Sequence, residues 1–230
     1  MAGVPSERIE LMRRGDTFFL SHLERLDDEG FAQPCALPDW TRAHVVAHLA
    51  RNADALVNLL TWARTGVEKP MYPSAEARVH DIEVSAQQSP DALRSDVNDA
   101  SARLAGAVAT MPEDAWDAGV RTARGRPITA AEVPWMRIRE SWVHAVDLDV
   151  GASFDEVPHA VVIDLLDEVA SGLAGRDDCP AMVVDAGERS WRVGPDGDTV
   201  TVSGSAPDLL AWLIGRAPGP DGAPAPPPWL

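Results

Sequence analysis

Four long stretches of near-helical apolar spacing, parted by connectors rich in proline and glycine, fill the chain as far as Gly151. A chain built this way is confined to packed helices. From Glu7 to Glu29 the residues Ile9, Leu11, Met12, Phe18, Phe19, Leu23 and Leu26 recur at helical intervals. After the connector FAQPCALPDW, Thr41 stands as an N-cap before RAHVVAHLARNADALVNLLTWARTG, and Gly66 is the natural stop. The stretch GVEKPMYPSAEARVHDIEVSAQQSP reads as a long irregular connection, with helical character from Ser74 onward. Connections of that length are uncommon inside compact domains and often functional. Ser89 and Pro90 open a third helix that stops at Pro112. A polar loop with Gly119, Gly125 and Pro127 leads to the fourth, AAEVPWMRIRESWVHAVDLDVG. A four-helix bundle is expected, with any ligand on the inward faces of its core.

The character changes after Gly151. One more helix, HAVVIDLLDEVASGLAG, precedes three β-like runs, AMVVDA, SWRVG and DTVTVSG, and then an apolar helix, APDLLAWLIGR. The expected organisation is therefore a helical domain over residues 1–153 and a small α+β domain over residues 154–230. The tail APGPDGAPAPPPWL is rich in proline and glycine and reads as extended. Its closing Trp229-Leu230 suggests that the end of the chain docks somewhere.

With 36 acidic against 20 basic residues, the formal net charge is −16. That field repels a polyanion, and no basic run offsets it, so nucleic-acid binding is set aside. An anionic substrate would need a few local arginines to receive it. The two cysteines, Cys35 and Cys179, form no framework and suit a reducing compartment. The N-terminal stretch lacks the apolar core of a signal peptide, and no apolar run reaches the roughly 20 residues of a spanning helix. A cytoplasmic protein without membrane attachment is expected.

Two residue pairs carry chemistry. Glu140 and His144, in RESWVHAVD, stand four apart on one helical face, so their side chains can converge on one point. His44 and His48, in TRAHVVAHLA, form a second such pair on another helix. One pair alone is most often a solvated surface feature. Two pairs on two helices of a bundle point instead to a divalent metal with an open position. The spacing leaves open which of His44 and His48 faces inward, although His48 lies nearer the apolar stripe.

Several blocks together resemble one family. LPDWTRAHVVAHLARNADALVNLLTWARTGVEKPMYPSAEARVHDIE is similar to the N-terminal domain of mycothiol-dependent maleylpyruvate isomerases, a branch of the DinB-like metal-binding bundles. PWMRIRESWVHAVDLDVG resembles that family's second metal segment, and the likeness runs on through VSGSAPDLLAWLIGR to the closing PPPWL. The resemblance implies a DinB-like four-helix bundle followed by a sterol-carrier-like α+β domain. It further implies His48, Glu140 and His144 as ligands of a divalent metal, with zinc expected, and Arg78 and Arg216 as active-site arginines.

The implied activity is isomerisation of maleylpyruvate to fumarylpyruvate, a step in aromatic-compound breakdown. It uses the external thiol mycothiol and an anionic small-molecule substrate in a monomeric enzyme. A solvated loop arginine and a helix-end charge are the plainer readings of Arg78 and Arg216. Asp147 and Asp149, just after His144, are candidates to orient a ligand. Among the tryptophans Trp40, Trp62, Trp135 and Trp142, most are expected in the core, although one could line a pocket for the thiol's sugar. The tail departs from the family in lacking a basic residue before Trp229. A mycothiol S-transferase on the same scaffold and a non-catalytic metal-binding stress protein are the alternatives.

Overall fold

The structure is a computed structural model in which residues 4–229 are described; Leu230, the last residue of the expected docking terminus, lies outside them. The chain divides into two compact units, Met1–Ala152 and Ser153–Leu230.

Among the described residues the first unit has five α-helices: α1 (Ser6–Leu23), α2 (Arg42–Thr65), α3 (Ala75–Ala86), α4 (Pro90–Ala109) and α5 (Val133–Asp147). α1 packs on α5, and α2 packs on α4, α3 and α5. As the central element, α2 buries Val45, Val46, Leu49, Leu56 and Leu59, an apolar content spread around the helix rather than confined to a stripe. Opposite it lie Leu93, Val97 and Leu104 of α4 and Ile138 and Ala145 of α5, all fully buried. Helix ends are fixed as the sequence suggests. Gly66 takes a left-handed φ of 72° that closes α2, and the Ser74 and Ser89 hydroxyls accept the main-chain N–H of Ala77 and Ala92.

Two local expectations are corrected and a third is made definite. The first helix ends at Leu23 rather than Glu29, because Asp27 Oδ1 accepts the Gly30 N–H at 2.8 Å and turns the chain into a 3₁₀ segment, Glu29–Ala32. The long connection is irregular only as far as Pro73: the helical character expected from Ser74 onward is the twelve-residue helix α3, with its N-cap at Ser74. The polar loop is a two-stranded hairpin, β1 (Gly119–Arg121) against β2 (Pro127–Thr129), pairing the buried Val120 with the buried Ile128. Strands of three residues offer a single inward side chain each, too few to produce a legible alternation.

The second unit holds α6 (His159–Leu173), β3 (Met182–Asp185), β4 (Ser190–Val193), β5 (Val200–Ser203) and α7 (Ala206–Leu213). Strand β3 lies in the middle, antiparallel to β4 and parallel to β5. Met182, Val184, Val193, Leu165, Leu166 and Leu209 are fully buried in this unit. The tail stays close to α7: a Cβ at Gly219 would come within 2.5 Å of the Trp212 indole nitrogen. No helix among the described residues is long and apolar enough to cross a membrane.

Candidate metal centre

Residue 48 sits on the inward side of α2 because it shares that side with Val45, Leu49 and Leu56, and it is 4% exposed. Residues 140 and 144 sit one turn apart on α5, which packs against α2. Helical geometry therefore brings the three side chains to one place. His48 Nε2 lies 2.9 Å from Glu140 Oε2, and His144 Nε2 lies 3.4 Å from the same oxygen. The two imidazole rings meet edge to face, with centroids 4.8 Å apart. One ligand atom from each of the three residues lies within 4.8 Å of the others. Donors about 2.0–2.2 Å from a common tetrahedral ion stand roughly 3.3 Å from one another, so the spacing and the N, N, O donor set both fit a divalent metal such as zinc.

The structure separates the two histidines of α2. His44 Nδ1 accepts the Thr41 main-chain N–H at 3.2 Å and lies 2.8 Å from the Thr41 hydroxyl, closing the first turn as a capping box. His44 Nε2 faces Glu83 of α3 at 3.3 Å. Both of its nitrogens serve the helix end and its neighbour, and the ring stands outside the three-residue cluster.

The surroundings set opposite charge states on the two buried imidazoles. Burial lowers the His48 pKa to about 4; His144 and Arg78 push it the same way, against the hydrogen bond to Glu140. Burial also resists a charge on His144, but hydrogen bonds to Asp147 and Glu140 outweigh it and raise that pKa to about 9. For Glu140 burial favours the neutral acid, yet the two histidines and Arg139 hold the carboxyl well below the usual carboxylate range. Arg139 Nη2 donates to Glu140 Oε1 at 3.1 Å, leaving Oε2 to the histidines.

Arg78, on α3, comes to the cluster: its Nη2 lies 3.4 Å from His48 Nδ1. Tyr72, the single tyrosine of the chain, stands beside it, with the guanidinium carbon 5.8 Å from the ring centroid. The Trp40 and His48 rings meet edge to face, with centroids 5.6 Å apart. Trp142 is core, while Trp62 and Trp135 are half-buried, with Arg8 stacked over Trp135 at 5.4 Å. Arg216 belongs to the second unit, where its Nη1 donates to the Ile214 carbonyl at 2.6 Å beyond α7. Of the two candidate aspartates, Asp147 accepts from His144 Nδ1 at 2.8 Å and is wholly buried. Asp149 is exposed, in a left-handed turn at φ 54°, and its carbonyl accepts from Arg42 Nη2. Trp40 is one of the four tryptophans the sequence offers for lining a pocket, whereas Arg139 and Tyr72 were not legible as neighbours of the centre, since each lies at an unremarkable position in its own segment.

Comparison with known proteins bears on both units. Residues 12–149 match the family described as mycothiol maleylpyruvate isomerase N-terminal domain, and residues 156–226 match its C-terminal domain. A crystal structure of a mycothiol-dependent maleylpyruvate isomerase is 36% identical, covers 100% of both chains and superposes with a TM-score of 0.94. A histidine-to-alanine mutant of a mycothiol-dependent maleylpyruvate isomerase gives 36% identity, the same coverage and a TM-score of 0.93. YfiT from Bacillus subtilis, described as having an unusual four-helix bundle topology, shares the fold at 15% identity. That match covers 63% of this chain and 83% of YfiT, with a TM-score of 0.53. No curated protein matches the sequence.

Proposed function

Since the chain belongs to the mycothiol-dependent maleylpyruvate isomerase family, we propose that it is an enzyme catalysing the mycothiol-dependent conversion of maleylpyruvate to fumarylpyruvate. The observation that carries this reading is the convergence of His48, Glu140 and His144 on one point inside a bundle of that family. In this reading the three residues hold one zinc ion, which would supply the Lewis acidity that keeps a thiol deprotonated at neutral pH.

The substrate's cis double bond is conjugated to a ketone. Addition of the thiol sulfur to the activated alkene carbon makes that bond single and places the electron pair on the ketone oxygen as an enolate. Rotation and loss of the sulfur restore the alkene as trans, so the thiol is returned unchanged. Neither cysteine of the chain serves as nucleophile here: Cys179 is buried, and burial raises the pKa of Cys35. Arg78, beside His48, receives a substrate carboxylate through its planar fork and stabilises the enolate. Arg216 is assigned the second anionic group on the strength of the family resemblance. His48 and Glu140 are themselves largely buried, which keeps the site's donors out of bulk water. The enzyme acts as a cytoplasmic monomer in the breakdown of aromatic compounds.

The test is elemental analysis of wild type and of His48→Ala, Glu140→Ala and His144→Ala, with an ultraviolet isomerisation assay run with and without mycothiol. The expected result is about one zinc per wild-type chain, lost in each variant, and strictly thiol-dependent turnover. Full activity in all three variants would overturn the metal assignment. Thiol adducts without isomerisation would identify a transferase instead.

A further inference from the structure

We propose that Asp147 is a positioning residue of the metal centre: it fixes the His144 ring so that Nε2 faces the ion and makes His144 the anchoring ligand. The inference rests on the assignment of His48, Glu140 and His144 as metal ligands.

Asp147 follows His144 by three residues in the last turn of α5, on the same helical face. Its side chain is 0% exposed, and Oδ2 lies 2.8 Å from His144 Nδ1. A helix C-terminus carries partial negative charge, so a buried carboxylate there is disfavoured twice, by the dipole and by desolvation. An apolar residue would serve packing better at this position. The carboxylate accepts a hydrogen bond from His144 Nδ1–H, and that bond decides the tautomer. With Nδ1–H given to Asp147, the lone pair sits on Nε2, the nitrogen that faces Glu140 Oε2 at 3.4 Å. The main chain is pinned as well, because the Asp147 carbonyl accepts the Ala36 N–H at 3.0 Å.

The other histidine is backed by the opposite charge. His48 also turns Nε2 to Glu140 Oε2, but its Nδ1 faces the Arg78 guanidinium at 3.4 Å. A carboxylate behind an imidazole strengthens the far nitrogen as a donor; a cation behind it weakens that nitrogen. The centre is therefore asymmetric, with His144 as the strong arm and His48 as the weak one.

The experiment measures zinc affinity by competition with a chromophoric chelator, and the visible spectrum after cobalt loading, on full-length wild type, Asp147→Asn and Asp147→Leu. Thermal unfolding of each apoprotein is followed alongside. Zinc affinity is expected to fall about tenfold in the asparagine variant and about a hundredfold in the leucine variant. The cobalt bands should keep their positions in the asparagine variant, whose amide oxygen still accepts from Nδ1–H, and shift in the leucine variant. Wild-type affinity in Asp147→Asn overturns the proposal even where Asp147→Leu does not fold. Affinity losses that merely track losses of apoprotein stability in both variants overturn it in favour of a packing role. Failure of wild type itself to bind either ion is a separate outcome, and it removes the metal-centre reading along with this one.

Discussion

Arg137 Nη1 donates at 2.8 Å to the main-chain carbonyl of Leu49, the residue after His48 on the neighbouring helix. The same guanidinium, 0% exposed, reaches Asn52 Oδ1 at 3.1 Å, Ser101 Oγ at 3.1 Å and Asp16 Oδ1 at 2.8 Å. Asp16 Oδ1 also accepts the Ser141 hydroxyl at 2.6 Å. One arginine thus joins α1, α2, α4 and α5 three residues before Glu140, and ties together the two helices that carry His48, Glu140 and His144. Arg137→Met should leave the Asp16 carboxylate without its cation and cost about 3–5 kcal/mol, read as a lowered denaturation midpoint by circular dichroism. Asp16→Asn combined with Arg137→Met should recover part of that loss. Equal midpoints for wild type and the single variant would refute the role.

His44 and His48 differ in what they hold. His44→Ala should destabilise the bundle by about 1 kcal/mol through the lost cap and leave zinc content unchanged. His48→Ala should lose the metal. Zinc loss from His44→Ala would make the first histidine a ligand after all.

The pH dependence follows from His144. Its folded pKa of about 9 lies above the ordinary value, so its protonation stabilises the apoprotein fully below about pH 6.5 and loses that effect as pH rises through about 9. An incoming metal must displace this proton. Apparent zinc affinity should therefore rise about tenfold per pH unit from 7 to 9 and then level off. His48 adds nothing in that range, because its pKa of about 4 leaves it neutral. Calorimetric titrations in buffers of different ionisation enthalpy should count about one proton released per zinc at pH 7.5. A count near zero would contradict the assignment.

Gly15 allows α1 to approach α5. A Cβ there would stand 2.7 Å from the Trp142 indole nitrogen and 3.3 Å from the Ser141 Cβ. Gly15→Ala should cost about 1–3 kcal/mol by overpacking and shift the tryptophan emission. Gly106→Ala is the control, since nothing lies within 4 Å of its added carbon. In the interior of α4 it should stabilise by about 0.5–1 kcal/mol. The same sign for both substitutions would show that helix propensity rather than close approach governs Gly15.

Legibility followed the length and periodicity of each element. Long amphipathic segments, and caps such as Thr41, Ser74 and Ser89, announce themselves within a few residues, because their hydrogen bonds are local. The hairpin at Val120 and Ile128 was missed because its order comes from one buried pair rather than from a pattern. The Glu140–His144 pairing was readable for the same local reason: four residues make one turn.

What the sequence determined by itself was the helical character and the set of side chains able to bind a metal, because periodicity, capping and the donor chemistry of each residue type are short-range properties; the family was legible through the resemblance of several whole blocks. Spacing alone left His44 and His48 open and the family resemblance singled out His48; the tertiary structure shows how, with His48 in the cluster and His44 capping its helix, and it alone decided that Asp147 rather than Asp149 backs His144. It also decided that Arg78 arrives from α3, 30 residues from His48. Those outcomes depend on which face of each helix meets its neighbour, and that is fixed by packing and by the buried Arg137, whose partners lie 36, 85, 88 and 121 residues away.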